Sequence, residues 1–539
     1  MINKVCTAKE AVALVKDEDC IVYTGFIRSM SAEELFYELM KRFDKTCAPN
    51  NLTLLHGACS STFLNGAFIG MNCLGKEGLL KRSINGFYGN ADFVKQMIYD
   101  EKIEAYNFPM GAINQLLRSF ALGHKGMLSK IGLKTFVDPR LEGGKTNRSC
   151  SEDFVKVVEL EGEEFLYYTA PKPNVAFLRG TTADEYGNIT MEEEAIYSLS
   201  RVAAMATYQN GGTVIVQVKR VVKGGTLNAQ SVHIPGIFVD KVVVCSNPEE
   251  FHRQSLNTLY SPVLSGDKKM VTNGHDKEMP LDERKMIGRR AAMELSPNDV
   301  VNLGIGIPDA VASVAGEENA DDMIVLTVET GTIGGIPMPK GDFGTTANAW
   351  AMVAEDRQFD LYDGGGLDIC FLGCAEVSPK GDVNVSKFPG NIMGCGGFID
   401  ITQPTRKVVF CATFTAGGLK VNVKDGKLVI VQEGKIVKFR NDIMQVTFSG
   451  DYANETHQDV SYVTERCVFK LTPAGLELVE IAPGIDLERD ILAHMEFKPA
   501  ISKDLKLMNP KIFGTALMGL RDYIDANAKY KEAQKQILN

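Results

Sequence analysis

The chain has 539 residues, 45% of them apolar and 23% charged, with a formal net charge of −10. That length exceeds one ordinary core and predicts about two to four domains, while ordinary globular composition excludes a disordered or collagen-like chain. The acidic balance argues against nucleic-acid binding, which needs a contiguous basic surface to displace counterions.

The opening, MINKVCTAKEAV, has no apolar core of signal-peptide length. No later stretch reaches ~18 uninterrupted apolar residues, since the longest candidate, 300–316, is broken by Asn302, Pro308 and Asp309. Twelve cysteines run from Cys6 to Cys467 without paired spacing, which predicts reduced thiols. The expectation is a cytoplasmic protein with no membrane partner.

The first half alternates strand-like and helix-like segments. CIVYTG (20–25) precedes SAEELFYELMKRF (31–43), where Ser31 with Glu34 predicts a capping box, and NLTLLHG (51–57) follows. LKTFVDP (133–139), NVAFLRG (174–180) and GGTVIVQVKRV (211–221) read as further strands. A helix is expected to open at Thr190, with Glu193 three residues on, and to stop at Asn210-Gly211-Gly212. Such alternation predicts an α/β fold.

From 246 to 283 the sequence turns polar and aperiodic, as a linker does. A helix at 284–295 then leads into the strand VVNLGIG (300–306), the order also seen over 8–40. The repetition predicts two tandem related open α/β domains, 1–245 and 284–520, followed by a tail, 521–539. Near the end, GLKVNVKDGKLVIVQEGKIVKF reads as a β-meander. The basic cluster Arg284-Lys285 and Arg289-Arg290 reads as a solvated helix face.

Standard catalytic signatures fail. GGKT (143–146) has Pro139 where a phosphate-cradling loop needs its first glycine, and GIGIPD (304–309) lacks the third glycine of a dinucleotide fingerprint. No metal-ligand spacing appears among the seven histidines and the cysteines. His56, beside Gly57 at a strand end, reads as a structural histidine in preference to a base.

The informative feature is Glu329. It follows Met323-Ile324-Val325-Leu326-Thr327-Val328, an apolar, β-branched run that predicts a strand covered on both faces. Glu329 therefore stands at a strand's carboxyl end, where open α/β sheets bind ligands. Glycine clusters ETGTIGG (329–335), DGGGLD (363–368) and GNIMGCGGFIDI (390–401) follow. Free N–H groups of glycine loops can stabilise charge on a carbonyl oxygen, and a carboxylate facing them can act as a nucleophile.

These three segments, in that order, closely resemble the family I CoA-transferases, and the whole chain resembles bacterial short-chain acyl-CoA:acetate (propionate) CoA-transferases with fused subunits. YNFPMG (106–111), LKTFVDPRLEGGKTN (133–147), TTADEYGNI (181–189) and HIPGIFVDKVVV (233–244) extend the resemblance through the first half. It implies that Glu329 is the nucleophile, forming a covalent glutamyl-CoA thioester in a ping-pong reaction between acyl-CoA thioesters and carboxylic acids such as acetate. It also implies that coenzyme A is a substrate, that no cofactor is tightly bound and no metal is used, and that the chain forms a homo-oligomer, a tetramer or a dimer.

By the same resemblance the oxyanion hole comprises Met110, Gly394, Gly396 and Gly397. CoA-binding positions are Gly331, Gly334, Gly364, Gly365 and Gly366. Phe87, Tyr88, Phe343, Gly344 and Asn348 line the acyl pocket. Relatives read PQG where this chain has Pro109-Met110-Gly111, and a GHWG-like turn where it has Gly86-Phe87-Tyr88-Gly89. A backbone N–H at Met110 would preserve the hole, whereas a required side-chain amide would leave half of it missing. A sugar-phosphate isomerase using Glu329 as a base, or a non-catalytic metabolite sensor on the same fold, are the competing readings.

Overall fold

The computed structural model describes residues 3–64, 67–271 and 278–537. It divides into two compact units, one comprising Met1–Met270, Val328–Leu361 and Gly390–Asp400, the other Val271–Thr327, Tyr362–Pro389 and Ile401–Asn539. The division differs from the expected halves, because the segments carrying Glu329 and Gly394-Gly397 are counted with the N-terminal residues. The stretch read as a linker also differs where it is described: His252, Gln254 and Ser255 are buried, and Gln254 donates to the carbonyl of Glu193.

The first unit is built on eight parallel strands: β1 Val5–Cys6, β2 Cys20–Tyr23, β3 Leu52–His56, β4 Leu80–Asn85, β5 Glu104–Asn107, β6 Val175–Arg179, β7 Thr213–Val218 and β8 Lys241–Val244. Their order is β1-β8-β7-β6-β2-β3-β4-β5, and every pairing is parallel. Central strands such as CIVY, LTLLH and VAFLR are buried at every position, as parallel strands covered on both faces must be. Helix α1, Glu33–Thr46, covers β2 and β6 through Phe36, whose ring meets Tyr23 at 5.3 Å and Phe177 at 5.7 Å.

Three local expectations are corrected. Helix α1 starts after Ala32 with no side-chain cap, because its first-turn acids serve other loops. Glu33 accepts from the Gly70 N–H, and Glu34 from the N–H and hydroxyl of Ser246. The helix expected from Thr190 spans only Ser200–Gln209, α3 after α2 at Met110–Ala121; Glu193 and Glu194 are drawn away by Lys219 and Arg179. Residues 133–139 form turns, since the Asp138 carboxylate accepts the N–H groups of Lys134 and Arg140 and folds the backbone around itself.

The second unit carries β9 Asp299–Leu303, β10 Ile324–Val328, β11 Ile369–Leu372, β12 Lys407–Cys411, β13 Asp459–Val463, β14 Cys467–Thr472, β15 Gly475–Ile481 and β16 Ala500–Leu507. They run β10-β9-β11-β12-β13-β14-β15-β16, parallel as far as β13 and antiparallel from β13 to β15. Near the expected meander, Lys420–Lys424 and Lys427–Gln432 form the hairpin across Asp425-Gly426, while Ile436–Val437 pairs with Thr415–Ala416.

Apart from Arg284, which is exposed beside Asp309, the basic cluster is not a solvated face. Helix α4, Glu283–Ala292, buries Lys285, Arg289 and Arg290. Lys285 pairs with Glu317 and Arg290 with Glu480 and Glu294, and Arg289 donates to the carbonyls of Gly514 and Ala516. Among the described residues no helix is long and apolar enough to cross a membrane.

Candidate active site

Strand β10 ends at Val328, and Glu329 is the first residue beyond it. The side chain is half-buried, and no hydrogen bond or ion pair reaches its carboxylate among the described residues. Its nearest boundary is Gly397, where a Cβ atom would come within 2.6 Å of Glu329 Oε2 and 3.0 Å of the Phe359 ring. Only glycine lets the chain pass so close. Burial among such groups, with no cation to offset it, pushes the Glu329 carboxyl up to about 7.

The glycine segment is held by a short hydrogen-bond ladder inside the first unit. Gly396 donates to Gly86 O at 2.7 Å, Cys395 to Asn107 Oδ1 at 2.9 Å, and Asn107 Nδ2 to Gly86 O at 2.6 Å. Met110, the first residue of α2, donates its N–H to Gly396 O at 3.0 Å. The N–H groups of Met110 and Gly396 are thus committed to carbonyls, which corrects the expectation that either is open for an oxyanion. The Gly397 N–H donates to no group among the described residues.

The acyl-pocket candidates separate. Phe343 packs on Phe26 with ring centres 5.8 Å apart. Gly344 lies against the same Phe26 ring, and its carbonyl accepts from the Thr330 hydroxyl at 2.6 Å. Phe26 and Phe343 therefore stand beside the residue that follows Glu329.

Tyr88, in contrast, is fully buried with its hydroxyl donating to Tyr106 O, and belongs to the core. Phe87 packs against that core and against the position of Gly89. Asn348 is bound on both amide atoms to the backbone of Met270. Gly331, at φ 108°, abuts the Val353 carbonyl, and Gly334 lies under the Trp350 indole, so close packing explains both glycines. Gly364, Gly365 and Gly366 belong to the second unit, where Gly365 has φ 76°. His56 is buried, bonded to Gly25 O at 2.8 Å, and held down to about 4 by burial, so it is neutral.

Sequence reasoning missed Glu355. This residue opens helix α5, Glu355–Asp363, and is fully buried. Its Oε1 accepts from Asn114 Nδ2 at 3.4 Å and its Oε2 from Ser198 Oγ at 3.3 Å. Burial pushes its carboxyl up to about 8; the Asn114 bond opposes the rise, and the charge of Glu329 adds to it. An acid in a helix's first turn reads as an ordinary dipole partner. Nothing local in the sequence marked it; in the structure its partner Ser198 holds φ 48°, which a non-glycine residue seldom adopts. Gln358, one turn further along the helix, is also fully buried, with neither amide atom paired among the described residues.

The arrangement offers an unpaired carboxylate, a neighbouring buried acid and, among the described residues, an open N–H on a glycine loop. Among the described residues no cluster of three metal-ligating side chains occurs. The sequence model for coenzyme A transferase matches residues 5–245. The acetate CoA-transferase YdiF of Escherichia coli K12 is 43% identical, over 96% of both chains. The caffeate CoA-transferase of Acetobacterium woodii is also 43% identical, over 96% of this chain and 98% of the other. Crystal structures of the acyl-CoA transferase YdiF from Escherichia coli O157:H7 superpose with TM-scores of 0.89 for the apoenzyme and 0.87 for a thioester complex with CoA, each at 42% identity over 96% of this chain and 97% of that one.

Proposed function

This chain belongs to the coenzyme A transferase family, and from that premise we propose that it moves coenzyme A between short-chain acyl-CoA thioesters and free carboxylic acids through a covalent thioester on Glu329. The observation that carries the reading is the Glu329 carboxylate, unpaired among the described residues at the end of strand β10 and pressed against Gly397. A carboxylate stripped of partners is a stronger nucleophile than a solvated one.

In the first step a Glu329 oxygen attacks the thioester carbonyl. The acyl–sulfur bond breaks, leaving an acyl-glutamyl anhydride and CoA thiolate. The thiolate then attacks the glutamyl carbonyl, the anhydride C–O bond breaks, and the first carboxylate departs from a glutamyl-CoA thioester. An incoming carboxylate reverses both steps. Each step exchanges one carboxyl derivative for another, so neither ATP nor a metal enters the scheme.

Gly397 supplies a backbone donor for the developing oxyanion, and Gly394 and Gly396 shape its turn. Met110 enters this scheme as the residue that holds Gly396 O, not as a donor. Phe26 and Phe343 wall the acyl group. Relatives act on acetate and on caffeate, and we assign short aliphatic acids as acceptors here. A homo-oligomer and a cytoplasmic location complete the proposal.

The experiment is a transfer assay with acetyl-CoA against acids from acetate to hexanoate, with caffeate alongside. Parallel double-reciprocal lines and new acyl-CoA with the shorter acids are expected. Intersecting lines, which mean a ternary complex, would sink the covalent route.

A further inference from the structure

Glu355 is as deeply buried as the core, yet no ion pair reaches it among the described residues. The charges that act on it, Glu329 and Asp356, are both negative. Among the described residues the cations of the surrounding elements have other partners. Arg118 of α2 is paired with Asp360, and Arg357 with Asp356 and Asp360. In the loop after β2, Arg28 donates to the Glu250 carbonyl. Glu194, in the segment that leads to Ser198, is matched by Arg179, and His56 at the end of β3 is neutral.

A second observation concerns Asn114. Its Nδ2 bonds Glu355, but its buried Oδ1 has no partner among the described residues, a cost of ~1–3 kcal/mol. Amide orientation is set by the network around it. With the amide turned over, a protonated Glu355 can donate its O–H to that oxygen. The Glu355 carboxyl also adjoins the site's own loops. Ser198 Oγ, bonded to it, accepts from the Gly25 N–H at 3.2 Å. A Cβ built on Gly57 would lie 3.5 Å from Glu355 Oε1 and 3.6 Å from Met110 O.

We propose that Glu355 works as a neutral acid, a positioning residue that limits the site to the single negative charge of Glu329, and that its ionisation switches transfer off. This rests on the reading of Glu329 as nucleophile. Every step passes an anion, thiolate or carboxylate, through the site. When Glu355 gives its proton to solvent base, a second fixed negative charge in a desolvated pocket repels each of them.

The test is the pH profile of glutamyl-CoA formation from acyl-CoA in a single turnover. The protein is expected to gain rate through the Glu329 carboxyl near 7 and lose it through Glu355 near 8. Glu355→Gln should keep the rising limb and lose the falling one, making it about tenfold faster than the parent one pH unit above that midpoint. A falling limb that persists unshifted in a folded Glu355→Gln overturns the proposal.

Should that variant not fold, infrared difference spectra of Glu329→Gln provide the second readout. A buried protonated carboxyl band at neutral pH that titrates away in alkali is expected, and its absence at neutral pH overturns the proposal. Failure of the underlying reading is separate: Glu329→Gln would then retain transfer, whatever Glu355 does.

Discussion

Two regions of the first unit bury a glutamate and treat it in opposite ways. Glu194 is 1% exposed; burial pushes its carboxyl up, but Arg179 at 2.8 Å and His252 at 3.1 Å outweigh that and hold it down to about 2. Among the described residues no cation pairs with Glu329 or Glu355, and burial carries them to about 7 and about 8. The first arrangement neutralises a charge so that loops can be fixed around it. The second leaves its acids without a counter-charge, so each keeps its proton to a higher pH and is poised for proton or acyl chemistry at a cost in stability.

The largest expected effect breaks the reactive side of this contrast. Glu329→Asp withdraws the carboxylate by about 1 Å, and a misplacement of that size costs on the order of a hundredfold in transfer. The gap should admit a water that the shorter acid activates, giving a weak acyl-CoA hydrolase. Transfer near the parent rate, measured as acyl-CoA formed, would mean that Glu329 is not the nucleophile.

On the structural side, Arg179→Met leaves Glu194 buried with only His252 beside it and should cost about 3–5 kcal/mol of stability in chemical denaturation, with the pH dependence of transfer unmoved. A shifted pH profile in that variant would show that the two regions are electrically one. Glu355→Gln should act on stability with the opposite sign. The Glu355 carboxyl lies above its unfolded value, so the native state is unpenalised at acidic pH and loses stability as pH rises toward about 8. The variant should therefore match the parent in acid and exceed it near pH 8, on the order of a few kcal/mol. Equal denaturation midpoints at both pH values would contradict a buried, unpaired Glu355.

Much of this contrast was half visible in the sequence. Buried parallel strands announce themselves as unbroken β-branched runs, and β2, β3, β6, β7, β9 and β10 fall where those runs are. Glu329 was legible because strand β10 ends at its neighbour. Turn-forming and long-range polar contacts were not legible. Asp138 folds 133–139 through its own side chain, bonding N–H groups of near neighbours, whereas the acids after Thr190 serve Arg179 and Lys219, so there local propensity lost to partners more distant in sequence. Glu355 was hidden for the same reason: only Asn114 and Ser198, brought from far along the chain, reveal that this first-turn acid is buried. The basic helix α4 looked solvated because its carbonyl and carboxylate partners lie up to 227 residues away.

The smallest effect is expected at Met110. Its N–H already serves Gly396 O, so a glutamine there adds a side chain without opening a backbone donor, and Met110→Gln should change the transfer rate by less than about threefold. A gain of roughly a hundredfold, the worth of one oxyanion donor, would show that the hole needs a side-chain amide which this chain lacks.

The most direct measurement is peptide mapping of the protein after incubation with acyl-CoA and no acceptor acid. The half-reaction needs only the donor, so coenzyme A should be found in thioester linkage to Glu329, and borohydride or hydroxylamine should modify that residue alone. Recovery of an unmodified Glu329 peptide from enzyme that is turning over would contradict the assignment of the nucleophile and, with it, the meaning given to its unpaired burial.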